Sequence, residues 1–162
     1  MKFLNLAVSA VALAAVALPA SAATTLRIQT HQGADSPAGI LYKIWEDDVE
    51  TMSNGSLDIE MFYSSSVVGS VETFDAAANG ILDCDMTGGA YQTGKNPAFQ
   101  FVGDVMGGYD TAWQQYSWLY YGDGYAAAQE LYNNYGMQLI GWTVFGHESL
   151  SSSKPIRGFE DL

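Results

Sequence analysis

Residues 36–62 read SPAGILYKIWEDDVETMSNGSLDIEMF, and the change of period inside this stretch decides the fold. Ser36 offers a capping hydroxyl and Pro37 suits the first helical position. After them Ile40, Leu41, Ile44, Trp45, Val49 and Met52 recur at helical spacing. This predicts an amphipathic helix with that apolar set facing the core and Lys43, Glu46, Asp47 and Glu50 on the solvated side. Asn54-Gly55 ends it. Leu57 to Phe62 then alternates with period two, the mark of a strand. The run Glu46-Asp47-Asp48 lies mainly on the solvated side of the helix and is not read as a pair of catalytic carboxylates.

Working outward, TLRIQT (25–30) alternates and breaks at Gly33, giving a first strand. Downstream, Val71, Phe74, Ala77 and Ala78 close on Asn79-Gly80 as a short helix, and ILDCDM (81–86) reads as a third strand. Strand, helix, strand, helix, strand predicts an α/β fold, a mostly parallel sheet flanked by helices with right-handed crossovers. Asp110–Tyr121 and Tyr125–Tyr135 read as two further helices divided by Gly122-Asp123-Gly124. MQLIGWTVF (137–145) reads as a fourth strand, buried on both faces. Lys154-Pro155-Ile156 reads as a strand that passes into a helical turn at Gly158–Asp161. The stretch from Thr87 to Tyr109, with six glycines, shows no clear period.

At the amino terminus, Lys2 precedes an apolar run from Leu4 to Leu18, and Ala20-Ser21-Ala22 has the small-x-small form of a cleavage site. The run, roughly 15 residues, is short of the ~20 that span a bilayer, so residues 1–22 are expected to be a signal peptide rather than an anchor. Removing 22 of the 162 residues leaves 140, enough for one domain with its own core. Five basic residues then face eighteen acidic ones, a formal charge of −13. Such a surface argues against nucleic acid or anionic membrane as partners. Cys84 is the only cysteine, so no internal disulfide forms, and His31 and His147 belong to no cluster with zinc-ligand spacing.

In open parallel sheets, ligands bind beyond the carboxyl ends of the strands. That rule selects Thr30-His31-Gln32, Tyr63-Ser64-Ser65, Thr87 to Gln92 and Gly146-His147-Glu148-Ser149, all rich in hydrogen-bonding side chains. Catalytic signatures are missing from the sequence: it has no G-x-S-x-G elbow, Walker loop or G-x-G-x-x-G after a strand. Adjacent His147 and Glu148 point opposite ways in an extended segment and make a poor catalytic pair. Trp113, Tyr116, Trp118, Tyr120, Tyr121 and Tyr125 read as core and helix contacts, with a stacking platform for sugars or rings as the alternative.

Several strings in order, RIQTH, AGILYKIWEDDVETMSNGSLDIEMF, VVGSVETFDAAANGILD, YQTGKNPAF and GHESLSSSKPIRGFEDL, resemble the extracytoplasmic solute-binding subunits of tripartite ATP-independent periplasmic (TRAP) transporters. The resemblance implies the first domain of a two-domain periplasmic-binding-protein-like fold. Residues 1–22 would be the signal peptide, 23–146 an incomplete ligand-binding domain I, and 147–162 the crossover toward a domain II that is absent, so the chain reads as an amino-terminal fragment. It implies a periplasmic protein, not an enzyme, that passes a small organic acid, a carboxylate, to TRAP membrane subunits for ion-gradient-driven import. The rival readings are a secreted α/β enzyme whose catalytic residues lie beyond Leu162 and an extracytoplasmic sensor domain. Ligand-binding positions implied by the resemblance are His31, Gln32, Tyr91, His147 and Glu148. No cofactor is implied; some related proteins take a metal ion with their ligand. Glu148 is compatible with an anion if it is protonated, bound to such a cation, or engaged in holding His147. The arginine that clamps the carboxylate in this family lies in the second domain. Arg27 falls inside a strand and Arg157 near the last residue, so weak binding is expected of this chain.

Overall fold

The structure, a computed structural model, describes residues 22–103, 105, 108–144 and 151–161. The expected signal peptide lies, but for its last residue, outside the described part. Three parallel strands, β1 (Thr24–Thr30), β2 (Leu57–Phe62) and β3 (Cys84–Met86), form a sheet of order β2-β1-β3. The helices are α1 (Pro37–Met52), α2 (Thr73–Ala78), α3 (Ala112–Tyr121) and α4 (Gly124–Asn133). The α/β class with a parallel sheet and flanking helices is therefore the observed one.

The chain moves from β1 outward to β2, then back past β1 to β3. Right-handed crossovers in opposite directions put α1 and α2 on opposite faces of the sheet. The central strand shows it: Ile28 and Gln29 are both buried although they point to opposite sides, and Gln29 reaches Thr73 on α2. The β3 strand is shorter than its apolar pattern, because the amides of Ile81 and Leu82 donate to Ala76 O at the end of α2. Pairing with β1 begins only with Asp83 N, which donates to Arg27 O.

The α1 helix is capped as expected, with Ser36 Oγ accepting from Gly39 N at 3.0 Å. It is turned the other way from the expected face. Gly39 and Tyr42 are buried, while Ile40, Ile44, Leu41 (63 % exposed) and Met52 (78 % exposed) look outward. Two contacts hold this rotation. A Cβ on Gly39 would drive into Gly33 O, so only glycine lets the helix approach the β1–α1 loop so closely. Glu50 Oε1 accepts from Ile59 N at 2.9 Å, occupying an open amide on the outer edge of β2.

Among the described residues, a core group joins Phe74 of α2 to Ala128 and Leu131 of α4, to Leu139, and to Phe99 and Val102. Phe99 and Val102 belong to a 3₁₀ segment, Pro97–Val102, that with another at Gly89–Gln92 fills much of the stretch without a sequence period. Phe74 and Phe99 meet edge to face at 5.7 Å, and Tyr132 and Tyr135 close round both rings.

The expected fourth strand is not formed over its described residues, 137–144. The segment is anchored by side chains instead: Leu139 is buried in the core and Tyr125 Oη donates to Leu139 O at 2.6 Å. An apolar run reads alike whether it completes a sheet or lies on a core, since period reports burial and not ladder pairing. Lys154-Pro155-Ile156 is likewise unpaired, Pro155 having no amide to give a ladder, whereas the helical turn after it is present as Phe159–Asp161.

Candidate site at the carboxyl ends of the strands

Register brings the three strand ends level. Gln29 stands opposite Phe62, and Thr30 opposite Met86, so the loops after β1, β2 and β3 leave the sheet along one edge. Backbone bonds then stitch the first two loops together: Ser64 N donates to Gln32 O at 2.9 Å and Ser65 N to Thr30 O at 3.1 Å. Ser64 and Ser65 both sit in the left-handed region, at φ 55° and 54°, so the chain can turn sharply enough to present these amides. Beneath the loops, the fully buried Gln29 side chain acts as a spacer. Its amide donates to Val68 O and Thr73 Oγ1, and its carbonyl accepts from Val67 N and Val68 N.

On this edge the His31 and Tyr91 rings meet edge to face at 5.5 Å and 80°. Gln32 Nε2 lies 2.9 Å from His31 Nε2, which fits an amide donating to the unprotonated ring nitrogen. Tyr91 is carried by the 3₁₀ turn Gly89–Gln92, whose Gln92 is buried with its amide directed at Val71 O (3.4 Å). Three of the five expected ligand positions, His31, Gln32 and Tyr91, are thus brought together, while His147 and Glu148 lie outside the described residues. Imidazole, carboxamide and phenol supply hydrogen-bonding groups and two ring edges, which suits a small polar ligand.

Sequence reasoning missed Asp85. It accepts from Thr87 Oγ1 at 2.7 Å, and burial pushes its carboxyl up to about 6. Tyr132 of α4 is raised to about 12, first by burial and then by the Asp85 charge. A Cβ on Gly89 would stand 3.2 Å from Tyr132 Oη and 3.1 Å from Val102 Cγ2, so glycine there lets the β3 loop settle over this pair. The available signal was alternation in LDCDM, which sets Asp83 and Asp85 on the same side of β3. It could not tell their fates apart.

Asp83 is spent on Arg27: Nε donates to Asp83 Oδ2 at 2.9 Å, and Arg27 N donates to the same oxygen. Arg27 Nη2 also donates to Gly80 O, so this guanidinium is engaged well back from the strand ends. Among the described residues, no group of three or more His, Cys, Asp or Glu side chains could hold a metal ion, and no helix is long and apolar enough to cross a membrane.

Comparison with known proteins gives the geometry its context. Over 119 residues, 67 % of this chain and 32 % of the relative, the sequence is 34 % identical to a monocarboxylate 2-oxoacid-binding periplasmic protein of Nostoc sp.. A TRAP periplasmic solute-binding protein of Rhodobacter sphaeroides in an open, apo form superposes with a TM-score of 0.69 at 30 % identity. The match covers 73 % of this chain and 38 % of that one. A second, from Pseudoalteromonas atlantica with bound sodium and pyruvate, gives 0.65 at 29 % identity over 70 % of this chain and 35 % of that one. The chain thus spans about a third of the length of these relatives. A family model matches residues 28–162, from the middle of β1 to the last residue, and the chain belongs to the bacterial extracellular solute-binding proteins, family 7.

Proposed function

We propose that this chain carries the first ligand-binding domain of a periplasmic solute-binding component of a TRAP transporter, and that the ligand is a small monocarboxylate of the 2-oxo acid class. The observation that carries the reading is the level row of strand ends on which His31, Gln32 and Tyr91 converge. It is supported by 34 % identity to a relative that binds 2-oxo monocarboxylates and by 29 % identity to one holding sodium and pyruvate. In this reading residues 1–22 direct export to the periplasm, 23–146 form the domain, and 147–162 lead toward a second domain. His147 and Glu148 complete the ligand edge. A sodium ion that enters with the ligand offsets the charge of Glu148, which otherwise repels a carboxylate. The membrane subunits of the transporter receive the ligand unchanged, and the domain does no chemistry on it.

The test is a thermal-shift screen of the protein with pyruvate and longer 2-oxo acids, in sodium and in potassium. A receptor is stabilised by RT ln(1 + [L]/Kd), about 2.7 kcal/mol at a hundredfold excess over Kd. Sodium-dependent stabilisation with pyruvate recovered intact is the expected result. Pyruvate that is consumed, or an unchanged Tm with every carboxylate when the second domain is present, overturns the reading.

A further inference from the structure

Tyr125 packs against the core and Tyr116 and Trp118 are half-buried, but three rings of α3 do not behave as core. Trp113 (79 % exposed), Tyr120 (55 %) and Tyr121 (92 %) stand on the surface. Trp113, Tyr116, Tyr120 and Tyr125 form a continuous row with ring centroids 6.3, 6.2 and 6.3 Å apart, and the last two pairs are near parallel at 19°. The row is anchored at its inner end, where Tyr125 Oη donates to Leu139 O.

Along the sequence, the charges that flank the row are of one sign. Exposed Asp110 precedes the row, exposed Asp123 stands between Tyr120 and Tyr125, and exposed Glu130 follows; no lysine or arginine occurs between Lys95 and Lys154. We propose that this aromatic row is a docking surface for an extended basic segment of a partner protein, seating lysine or arginine side chains against the rings. Ring faces attract cations, guanidinium most of all, and the neighbouring carboxylates add to the attraction. Spacing favours an extended partner: at about 3.3 Å per residue, every second side chain falls about 6.6 Å apart, close to the ring repeat. The row shares no residue with the strand-end edge that carries His31 and Tyr91, and its occupation does not depend on the ligand assigned there.

The probe is a labelled, end-blocked heptapeptide of alternating arginine and threonine, titrated against the protein by fluorescence anisotropy, beside an isomer with its four arginines contiguous. The alternating peptide binds more tightly than its isomer. Trp113→Ala with Tyr120→Ala weakens it by about 4- to 25-fold, from about two- to fivefold per exposed cation–ring contact. Asp110→Asn with Asp123→Asn weakens it and flattens its salt dependence, whereas Asp47→Asn with Asp48→Asn on α1 does not. The single variant Trp113→Arg, at a site exposed enough to leave the fold intact, abolishes binding and serves if the double variant fails to fold. Equal binding of the two isomers, or parental affinity in Trp113→Arg, reduces the effect to adventitious charge attraction and overturns the proposal. So does failure of the parent protein to bind, as when another segment of the polypeptide covers the row.

Discussion

Replacing Asp85 by asparagine should stabilise this protein at neutral pH and do nothing of the kind in acid. The Asp85 carboxyl is raised from 3.8 to about 6, chiefly by burial, so the folded state holds its proton more tightly than the unfolded chain does. The stabilising proton is fully present below pH 3.8, and the contribution is lost as pH rises through about 6. At about 1.4 kcal/mol per pH unit, the displacement amounts to about 3 kcal/mol of penalty at pH 8. Asparagine removes that penalty while its carbonyl still accepts from Thr87 Oγ1, and the extra strength of that bond to the carboxylate is already contained in the net displacement. The net expectation is about 3 kcal/mol of stabilisation at pH 8, shrinking towards zero at pH 4. Urea denaturation of parent and Asp85→Asn across that range, with m-values compared, measures it directly. A difference that stays constant from pH 4 to pH 8, or destabilisation at pH 8, would show that the carboxylate under the β3 loop is solvated and the reasoning wrong.

Other perturbations follow from named contacts. Gly39→Ala forces a Cβ against Gly33 O and should cost about 2 kcal/mol or more in chemical denaturation, because a backbone oxygen cannot step aside as a side chain can. Less than about 0.5 kcal/mol would mean that α1 sits further from the loop than described. Gln29→Ala strands Val67 N and Val68 N and takes a donor from Val68 O and Thr73 Oγ1, and should cost about 2–4 kcal/mol while loosening the loop after β2, seen as faster amide exchange at residues 64–68. Tyr91→Phe keeps the ring contact with His31 and should leave stability unchanged. Tyr91→Ala removes that contact and should weaken carboxylate binding by about tenfold, read by calorimetry.

Much of the architecture was legible because period and spacing report burial. The switch from helical to alternating pattern between Tyr42 and Leu57 foretold α1 and β2, and the order of elements foretold a parallel sheet. Orientation was not legible. The same stripe of Ile40, Leu41, Ile44 and Met52 that marks α1 as amphipathic faces outward, because Gly39 and Glu50, neither of them apolar signals, decide which side meets the sheet. Strand pairing failed for a related reason: Leu139 is as buried as a strand residue, but burial says nothing of a ladder partner. At the candidate site, the rule of strand ends chose the loops, and the family resemblance the positions His31, Gln32 and Tyr91 within them. Their contact was not foreseeable, since Tyr91 is placed by a 3₁₀ turn inside a glycine-rich stretch that shows no period. Asp85 stayed hidden because a carboxylate in a strand looks the same in sequence whether it pairs, as Asp83 does, or is buried.

The central claim is that the level strand ends grip a small carboxylate, and proton–proton Overhauser contacts between bound pyruvate and the protein test it most directly. With pyruvate in sodium buffer, cross-peaks from its methyl group to ring protons of both His31 and Tyr91 are predicted. Cross-peaks confined to the Trp113–Tyr125 row, or none under conditions where pyruvate is shown to be bound, would contradict it.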